Sequence, residues 1–339
     1  MPLTCVNGLF SMRVRISLQV YQPAPVRPAA RPLVQLRPGS NSPKVCWTVM
    51  SNPLLESTVV VTVTYNSSTY LVGFLDSVRA SEDVTMHVVV ADNRSADLDV
   101  VREIAVKYDS RLLEMDTNLG YGGAINAAIS KLPPDTKYVL VSNPDVQLHP
   151  GATSAMLDVI ANDPHVGSVG PRVLNVDGST YPSGRQLPSL RNGIGHALFA
   201  RIWQDNPWTR AYRAGSDGGD ASRPVGWLSG SCLLVRRTAF EEVHGFDEGF
   251  FMYFEDVDLG YRLGKAGWKN VYTPSATVVH TGAHSTSVES EKMLRAHHDS
   301  AYRYLEKKYS APYLAPVRWV LKAGLTIRVR LLSRSQRTP

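Results

Sequence analysis

Lys137-Tyr138-Val139-Leu140-Val141-Ser142-Asn143-Pro144-Asp145-Val146 decides how this chain is read. Tyr138 to Ser142 is apolar without alternation, the pattern of a parallel strand buried on both faces. Pro144 has no N–H to donate and turns Asn143 away from helix, so the strand ends there. Asp145 then stands at the carboxyl end of a strand, the edge of an open α/β sheet at which ligands bind. A carboxylate in that place can hold a divalent cation against a diphosphate, or it can simply close an Asx-type turn.

Working outward, the same unit repeats on the N-terminal side. Thr58 to Thr64 is a β-branched strand followed by Tyr65-Asn66-Ser67-Ser68, a polar turn placed to cap a helix from about Thr69, with Leu71, Phe74, Leu75 and Val78 on one face. Met86 to Val90 is a second strand followed by Ala91-Asp92-Asn93, and Leu98 to Tyr108 a second helix. Arg111 to Met115 is a third strand, followed by Asn118-Leu119-Gly120-Tyr121-Gly122-Gly123 and a helix through Ile129. This alternation predicts a mostly parallel, Rossmann-like α/β sheet flanked by helices, with right-handed crossovers. Short polar side chains follow each strand: Asn66, then Asp92 and Asn93, then Asn118, then Asp145. They gather at one sheet edge, as a nucleotide pocket requires. The bare backbone of Gly120 and Gly122 would allow a ligand close approach. The glycines lack the GxGxxG order after the first strand, and there is no Walker lysine, which argues against a dehydrogenase or a kinase.

The C-terminal side is less regular. Met156 to Ile160 reads as a helix and Val166 to Val173 as a strand interrupted by Gly170-Pro171. The stretch from Tyr181 to Ser222 reads as a long loop whose aromatics Phe199, Trp203, Trp208 and Tyr212 argue for order. Pro224 to Val235 reads as a turn and a buried strand, and Thr238 to Val243 as a short helix. Phe250-Phe251-Met252-Tyr253-Phe254-Glu255-Asp256-Val257-Asp258 sets aromatics against three acids at a helix start. The helix dipole accounts for one acid there; three exceed what capping needs, and one is a candidate general base. Val271-Tyr272 and Ala276 to Val279 are β-like, ending at His280; a helix is predicted from Glu289 to Tyr309.

These motifs, in this order, resemble the inverting family 2 glycosyltransferases of the GT-A type over residues 57–285. Thr64-Tyr65-Asn66, Ala91-Asp92-Asn93, Asn118 to Gly123, Asn143-Pro144-Asp145 and Phe254 to Leu259 carry the resemblance. Asn143-Pro144-Asp145-Val146, Tyr181-Pro182-Ser183-Gly184-Arg185 and Gly226-Trp227-Leu228-Ser229-Gly230-Ser231 are most similar to the rhamnosyltransferases of that family. The resemblance implies dTDP-rhamnose as donor, bound by Thr64, Asn66, Asp92, Asn93, Asn118, Gly120, Gly122, Asn143 and Asp145. It implies a polyprenyl-diphosphate-linked N-acetylglucosamine as acceptor, in cell-wall arabinogalactan linker synthesis, met by Trp227, Gly230 and Glu255. It also implies Asp256 as catalytic base and Mg²⁺ or Mn²⁺ as cofactor. Asn143 replaces the first acid of the family's Asp-x-Asp metal motif, so Asp145 needs a further ligand. His280, placed as a metal-binding histidine is in related galactofuranosyltransferases, is a candidate, with His284 as the alternative; a histidine that ends a strand can equally be structural.

Composition bounds the rest. Of 36 basic residues, six lie in 1–49 and six in 311–339, with no acid in either stretch, so the body between is net acidic. Basic ends on an acidic body suggest a polyanionic surface as partner. A nucleic-acid role would need a basic groove with stacking aromatics, against which the acidic body argues. The segment from Val317 to Arg334 mixes Trp, Leu, Val and Ile with Arg and Lys, as a helix lying on anionic lipid does. Three cysteines make no disulfide framework and fit a reducing cytosol. No run is long and apolar enough to span a bilayer, and Arg13 and Arg15 follow the first apolar patch instead of preceding it, unlike a signal peptide. The expectation is a cytoplasmic protein held peripherally at the inner face of the plasma membrane. It has three parts: a flexible, Pro-rich basic arm over 1–56 (Met50 is an alternative start), a catalytic domain over 57–285, and a helical, basic C-terminal extension over 286–339. Another family 2 sugar transfer and a non-catalytic nucleotide- or lipid-binding module are the competing readings.

Overall fold

The computed structural model describes residues 53–82, 86–189, 220–282 and 290–324, with side chains from 296 onward in the last segment. Four strands form the parallel half: β1 (Thr58–Thr64), β2 (His87–Asp92), β3 (Arg111–Glu114) and β4 (Tyr138–Ser142). β1 pairs with β2 on one side and β4 on the other, with Val60 between Val88 and Leu140. Both faces are covered. Val60, Val90 and Leu140 pack with Leu71, Phe74 and Leu75 of helix α2 (Ser68–Ser81). Val61, Val139 and Val141 pack with Ile125 and Ile129 of α4 (Gly120–Ser130). On the same face as α2 lies α3 (Leu98–Lys107), with Val101 and Ile104 in that core. A parallel strand with apolar residues on both faces has nowhere else to go, so the run around Leu140 becomes the centre of the sheet.

Beyond β4 the sheet turns mixed. The further strands in that sheet are β5 (Val146–Leu148), β6 (Val166–Leu174), β7 (Thr180–Tyr181), β9 (Arg223–Val225), β11 (Cys232–Arg236) and β12 (Lys269–His280). The order is β3-β2-β1-β4-β11-β6-β12-β5, with β7 on β6 and β9 on β12, ten strands among the described residues. β11 runs antiparallel to both β4 and β6. A separate ribbon pairs β8 (Gly184–Arg185) with β10 (Trp227–Leu228). A short α1 (Pro53–Glu56) precedes the sheet, helices α5 (Ala152–Asn162), α6 (Arg237–Glu242), α7 (Glu255–Lys265) and α8 (Ser290–Lys308) follow, and residues 315–324 are also helical.

Several details differ from the sequence reading, each for a physical reason. Gly170-Pro171 does not interrupt β6, because β12 is irregular opposite it, its register shifting between Thr273 and Thr277. A bulge in the partner strand accommodates the N–H that proline lacks. β5 was not foreseen; at three residues it is too short to show a period. α4 begins at Gly120 itself, so the glycines form its first turn instead of leading into it. Pro53–Glu56, expected in the flexible arm, is helical and buries Leu55. The rest of that arm, the aromatics Phe199, Trp203, Trp208 and Tyr212, and His284 all lie outside the described residues.

The cap of α2 also departs from expectation. Ser67 makes no side-chain cap. The Ser68 N–H donates instead to Asp97 Oδ2 at 3.0 Å, from the loop before α3. Substituting Asp97→Ala should therefore cost about 1 kcal/mol, the worth of a helix N-cap, and Ser67→Ala much less. Thermal unfolding of the two variants checks this; equal effects would return the cap to Ser67.

Candidate active site

The loops after β1, β2 and β3 meet at the carboxyl edge of the sheet, and their polar side chains hold one another. Asp92 is wholly buried. Its Oδ2 accepts hydrogen bonds from Thr64 Oγ1 at 2.9 Å and Ser95 Oγ at 2.6 Å, and its Oδ1 accepts one from the Ser95 N–H at 2.8 Å. Asn66, in the left-handed region at φ 52°, accepts the Ala96 N–H on its side-chain oxygen at 2.7 Å. Asn93 donates to the Gly120 carbonyl at 3.0 Å and accepts the Leu119 N–H at 2.8 Å. Asn118 accepts the Gly120 N–H at 2.9 Å. These residues come together at the sheet edge, where they hydrogen-bond to one another and to the loop backbone, with Ser95 as an unforeseen member. The Asp-x-x-Ser spacing, an Asx-type turn signal, could have revealed it.

Gly120 and Gly122 need a correction. They were expected to open a path for a ligand, yet protein fills the space beside them. A Cβ on Gly120 would lie 2.4 Å from the Phe251 carbonyl oxygen, and one on Gly122 2.7 Å from Phe246 Cβ. The glycines let the aromatic segment 246–251 close against α4, which sets the height of the acids that follow.

Asp145 and His280 meet through β5. Val146 pairs with His280 across the antiparallel β5–β12 ladder. That register brings His280 Nε2 to 3.1 Å from Asp145 Oδ1, and both side chains keep some exposure, 22% and 17%. The second carboxylate oxygen accepts the Gly282 N–H at 3.1 Å. Asn143 Nδ2 lies 3.4 Å from the same imidazole nitrogen. Ser229, Tyr181, His280 and Thr281 line an adjoining cavity of ≈ 540 Å³. Among the described residues no three His, Cys, Asp or Glu converge on a metal site. One carboxylate and one imidazole suit a divalent ion such as Mn²⁺ that takes its remaining ligands from phosphate and water.

The opposite wall is the start of α7. Tyr253 and Phe254 both hold positive φ, 67° and 63°, unusual for residues with bulky side chains. Such backbone persists only where surrounding contacts hold it. Those contacts come from α8. Lys307 Nζ reaches Asp258 at 2.6 Å and Asp247 at 2.7 Å, Arg303 reaches Asp247 at 3.0 Å, and Ser300 Oγ donates to the Met252 carbonyl at 2.8 Å. Asp258 has no exposed surface and also pairs with Arg262 at 2.6 Å. Burial opposes ionisation of Asp247, but Lys307, the Gly249 N–H and Arg303 outweigh it and hold its carboxyl down at about 2.

Asp256 is placed by two backbone donors, the Gly230 N–H at 3.0 Å and the Val257 N–H at 2.8 Å. Tyr121 donates to the Gly230 carbonyl at 2.5 Å and so supports that turn. The same turn reaches the other wall, because the Asn143 N–H donates to the Ser231 carbonyl at 2.9 Å. The turn Gly230-Ser231 thus links Asp256 to Asn143, two residues before Asp145. Trp227 packs beside α7 at Gly260, where a Cβ would meet Trp227 Cβ at 2.7 Å. Glu255 is buried, and its Oε2 has no hydrogen-bond partner. Burial pushes its carboxyl up, and the neighbouring Asp256 adds to the rise. Burial also pushes Asp256 up, against its backbone donors and the charge of Arg185.

The family described as "Glycosyltransferase like family 2" matches residues 56–298. The chain belongs to this family. The glycosyltransferase is 47% identical over 285 residues to the N-acetylglucosaminyl-diphospho-decaprenol L-rhamnosyltransferase of Mycobacterium tuberculosis, a match covering 81% of this chain and 92% of the relative. It is 26% identical over 255 residues to the rhamnosyltransferase WbbL of Escherichia coli, covering 74% and 92%. Among solved structures, its fold is that of the mannosyltransferase PcManGT of Pyrobaculum calidifontis in complex with GDP-Man and Mn²⁺. That match has a TM-score of 0.53 and 17% identity, covering 79% of this chain and 69% of the other. The GT-A-like fold and the glycosyltransferase class expected from the motifs both hold.

The carboxyl pair of the glycosyltransferase can be tested directly. Both acids titrate above the ordinary carboxylate range, and the charge of Asp256 adds to the rise at Glu255, so Asp256→Asn, which removes that charge, should lower the pH at which Glu255 ionises. Carboxyl-carbon NMR titration reads this. An identical Glu255 midpoint in the variant would mean that the two groups do not sense each other.

Proposed function

We propose that this glycosyltransferase moves L-rhamnose from dTDP-β-L-rhamnose to an N-acetylglucosaminyl-diphospho-polyprenol, with inversion at the anomeric carbon, as a step of cell-wall arabinogalactan linker synthesis. The observation that carries the proposal is the turn Gly230-Ser231, which ties Asp256 to Asn143, beside the paired Asp145 and His280. The choice of substrates rests on the 47% identity to the mycobacterial enzyme.

An acceptor hydroxyl is a weak nucleophile and must lose its proton as the new bond forms. Asp256, fixed by the Gly230 and Val257 N–H groups, takes that proton. Glu255, with a carboxyl oxygen lacking a protein partner, binds an acceptor hydroxyl, and Trp227 and Gly230 form the floor beneath the sugar. The frame of Thr64, Asn66, Asp92, Asn93 and Asn118 shapes the nucleoside end of the donor pocket, with Asn143 near its diphosphate. Asp145 and His280 would hold Mg²⁺ or Mn²⁺, which neutralises charge on the departing dTDP. Direct displacement then gives α-rhamnose without a covalent intermediate.

The acceptor's lipid places the enzyme at a bilayer. No described helix is long and apolar enough to cross one. Residues 315–324 are helical, and around them Tyr313 is 81%, Trp319 76% and Val320 72% exposed. These side chains and the basic tail dock the enzyme peripherally on anionic lipid at the cytoplasmic face.

Purified protein should form a rhamnosylated product from dTDP-rhamnose and a short-chain acceptor. Asp256→Asn should lower turnover by about 10²–10⁴-fold, the usual worth of general base catalysis, while leaving donor affinity near wild type. Competition by UDP in preference to dTDP would reassign the donor. His280→Ala should weaken Mn²⁺ binding in titrations containing dTDP; unchanged binding would return His280 to a structural role. In flotation with anionic vesicles the wild type should rise with lipid, and Trp319→Ala less so. Wild-type protein that stays at the bottom at every salt concentration would refute peripheral docking.

A further inference from the structure

The segment from Tyr181 to Arg185 has so far been given no role. Its backbone is held firmly. The Gly226 N–H donates to the Arg185 carbonyl at 2.8 Å, and the Ser229 N–H to the Ser183 carbonyl at 2.8 Å. Ser183 Oγ donates to the Pro171 carbonyl at 2.7 Å. Gly184 leaves only enough room for Tyr272, whose Cβ would sit 2.8 Å from a Cβ there. The Arg185–Trp227 register of the β8–β10 ribbon puts the arginine beside the floor of the acceptor cleft.

The side chain is positioned with equal care. The Arg185 guanidinium carbon lies 5.4 Å from the Tyr181 ring centroid and 5.6 Å from that of Trp227. Its Nε donates to the Pro182 carbonyl at 2.7 Å. That bond uses the inner edge of the fork and leaves the terminal N–H groups available, with no carboxylate paired to them among the described residues. Its charge is felt at Asp256, where it opposes the rise caused by burial, yet the two form no ion pair. A pre-oriented guanidinium flanked by aromatic faces is suited to a phosphate, which it can bind through two parallel hydrogen bonds.

We propose that Arg185 binds the diphosphate of the lipid-linked acceptor, holding it about one sugar ring away from the hydroxyl that Asp256 deprotonates. The assignment rests on the acceptor proposed above. In that acceptor the diphosphate is joined directly to the sugar that is being glycosylated. A cation near the base but not touching it is where that anion requires one. Tyr181 borders both this guanidinium and the cavity that reaches His280. The ribbon therefore separates the acceptor's diphosphate from the donor's and keeps each against its own cation.

The test is a binding measurement that needs no turnover, so it stands apart from the identity of the sugar transferred. Geranyl diphosphate serves as the probe for the acceptor end and dTDP as the probe for the donor end, each titrated calorimetrically into the full chain. Arg185→Gln should weaken geranyl diphosphate about 10- to 100-fold, the range for a charged hydrogen-bonded contact, and shift dTDP less than about threefold. Arg185→Lys, which keeps the charge but loses the fork, should fall between. Three outcomes would overturn the proposal. They are wild-type protein that does not bind geranyl diphosphate, a variant that binds it as tightly as wild type, and an equal loss for dTDP, which would assign Arg185 to the donor.

Discussion

The hydrogen bond from the Gly230 N–H to Asp256 joins the two halves of this enzyme. One side of the bond is the turn after β10, which reaches back through Ser231 to Asn143 and so to the end of β4. The other side is the first turn of α7. That bond adds to two further links between the same turn region and α7: Trp227 packs on Gly260, and Asn270 Nδ2 donates to the carbonyls of both Gly226 and Gly260. Gly230 leaves space that a larger residue would fill, since a Cβ there would already lie 3.3 Å from the Tyr121 ring and 3.5 Å from Asp256 Cβ.

The start of α7 shows how the fold holds a conformation that its local sequence resists. Two consecutive bulky residues in the left-handed region cost on the order of 1–3 kcal/mol each. They are followed by a buried carboxylate, Asp258, which cannot stay ionised in the interior without partners. Arg262 and Lys307 supply the partners, and Phe250, Val257 and Tyr304 bury apolar surface around them. Gly249 is bare because the Arg303 guanidinium occupies the space where its side chain would project. Helix α8 is thus packed into the segment that carries Glu255 and Asp256. The exposed aromatic segment follows it directly in the chain, so whatever binds that segment is mechanically close to the acids.

What was legible in the sequence was local. The runs Thr58–Thr64 and Tyr138–Ser142 are long, β-branched and apolar, and both became central strands. The polar residues after each strand came together because a parallel sheet places all its carboxyl ends at one edge. What was not legible depended on partners far away in the chain. The contact between Asp145 and His280 depends on a three-residue strand whose only signal is its pairing with β12. The cap of α2 comes from Asp97, whose spacing from Ser68 follows no local rule. The glycines after Asn118 looked like a ligand cradle because sequence reports the absence of a Cβ, not what occupies the space; here it is Phe251 and Phe246.

The division of labour between Glu255 and Asp256 follows from their surroundings. Glu255 is buried and Asp256 half-buried, and loss of solvation favours the protonated form of both. Asp256 accepts two backbone N–H bonds, which favour the ionised form, and Arg185 adds positive charge in the same direction. Glu255 has a buried oxygen with no partner, so ionising it leaves a charge unsolvated. When the pair holds one proton, it therefore belongs on Glu255, leaving Asp256 as the anion. A base at a glycosyl-transfer site must also be kept from water, and the same burial that raises its affinity for a proton does this. In the reaction proposed above, neutral Glu255 donates a hydrogen bond to an acceptor oxygen while Asp256 receives the proton from the attacking hydroxyl. Those opposite roles would follow from the donors of Gly230 and Val257 on Asp256 and from the partnerless Glu255 Oε2 among the described residues.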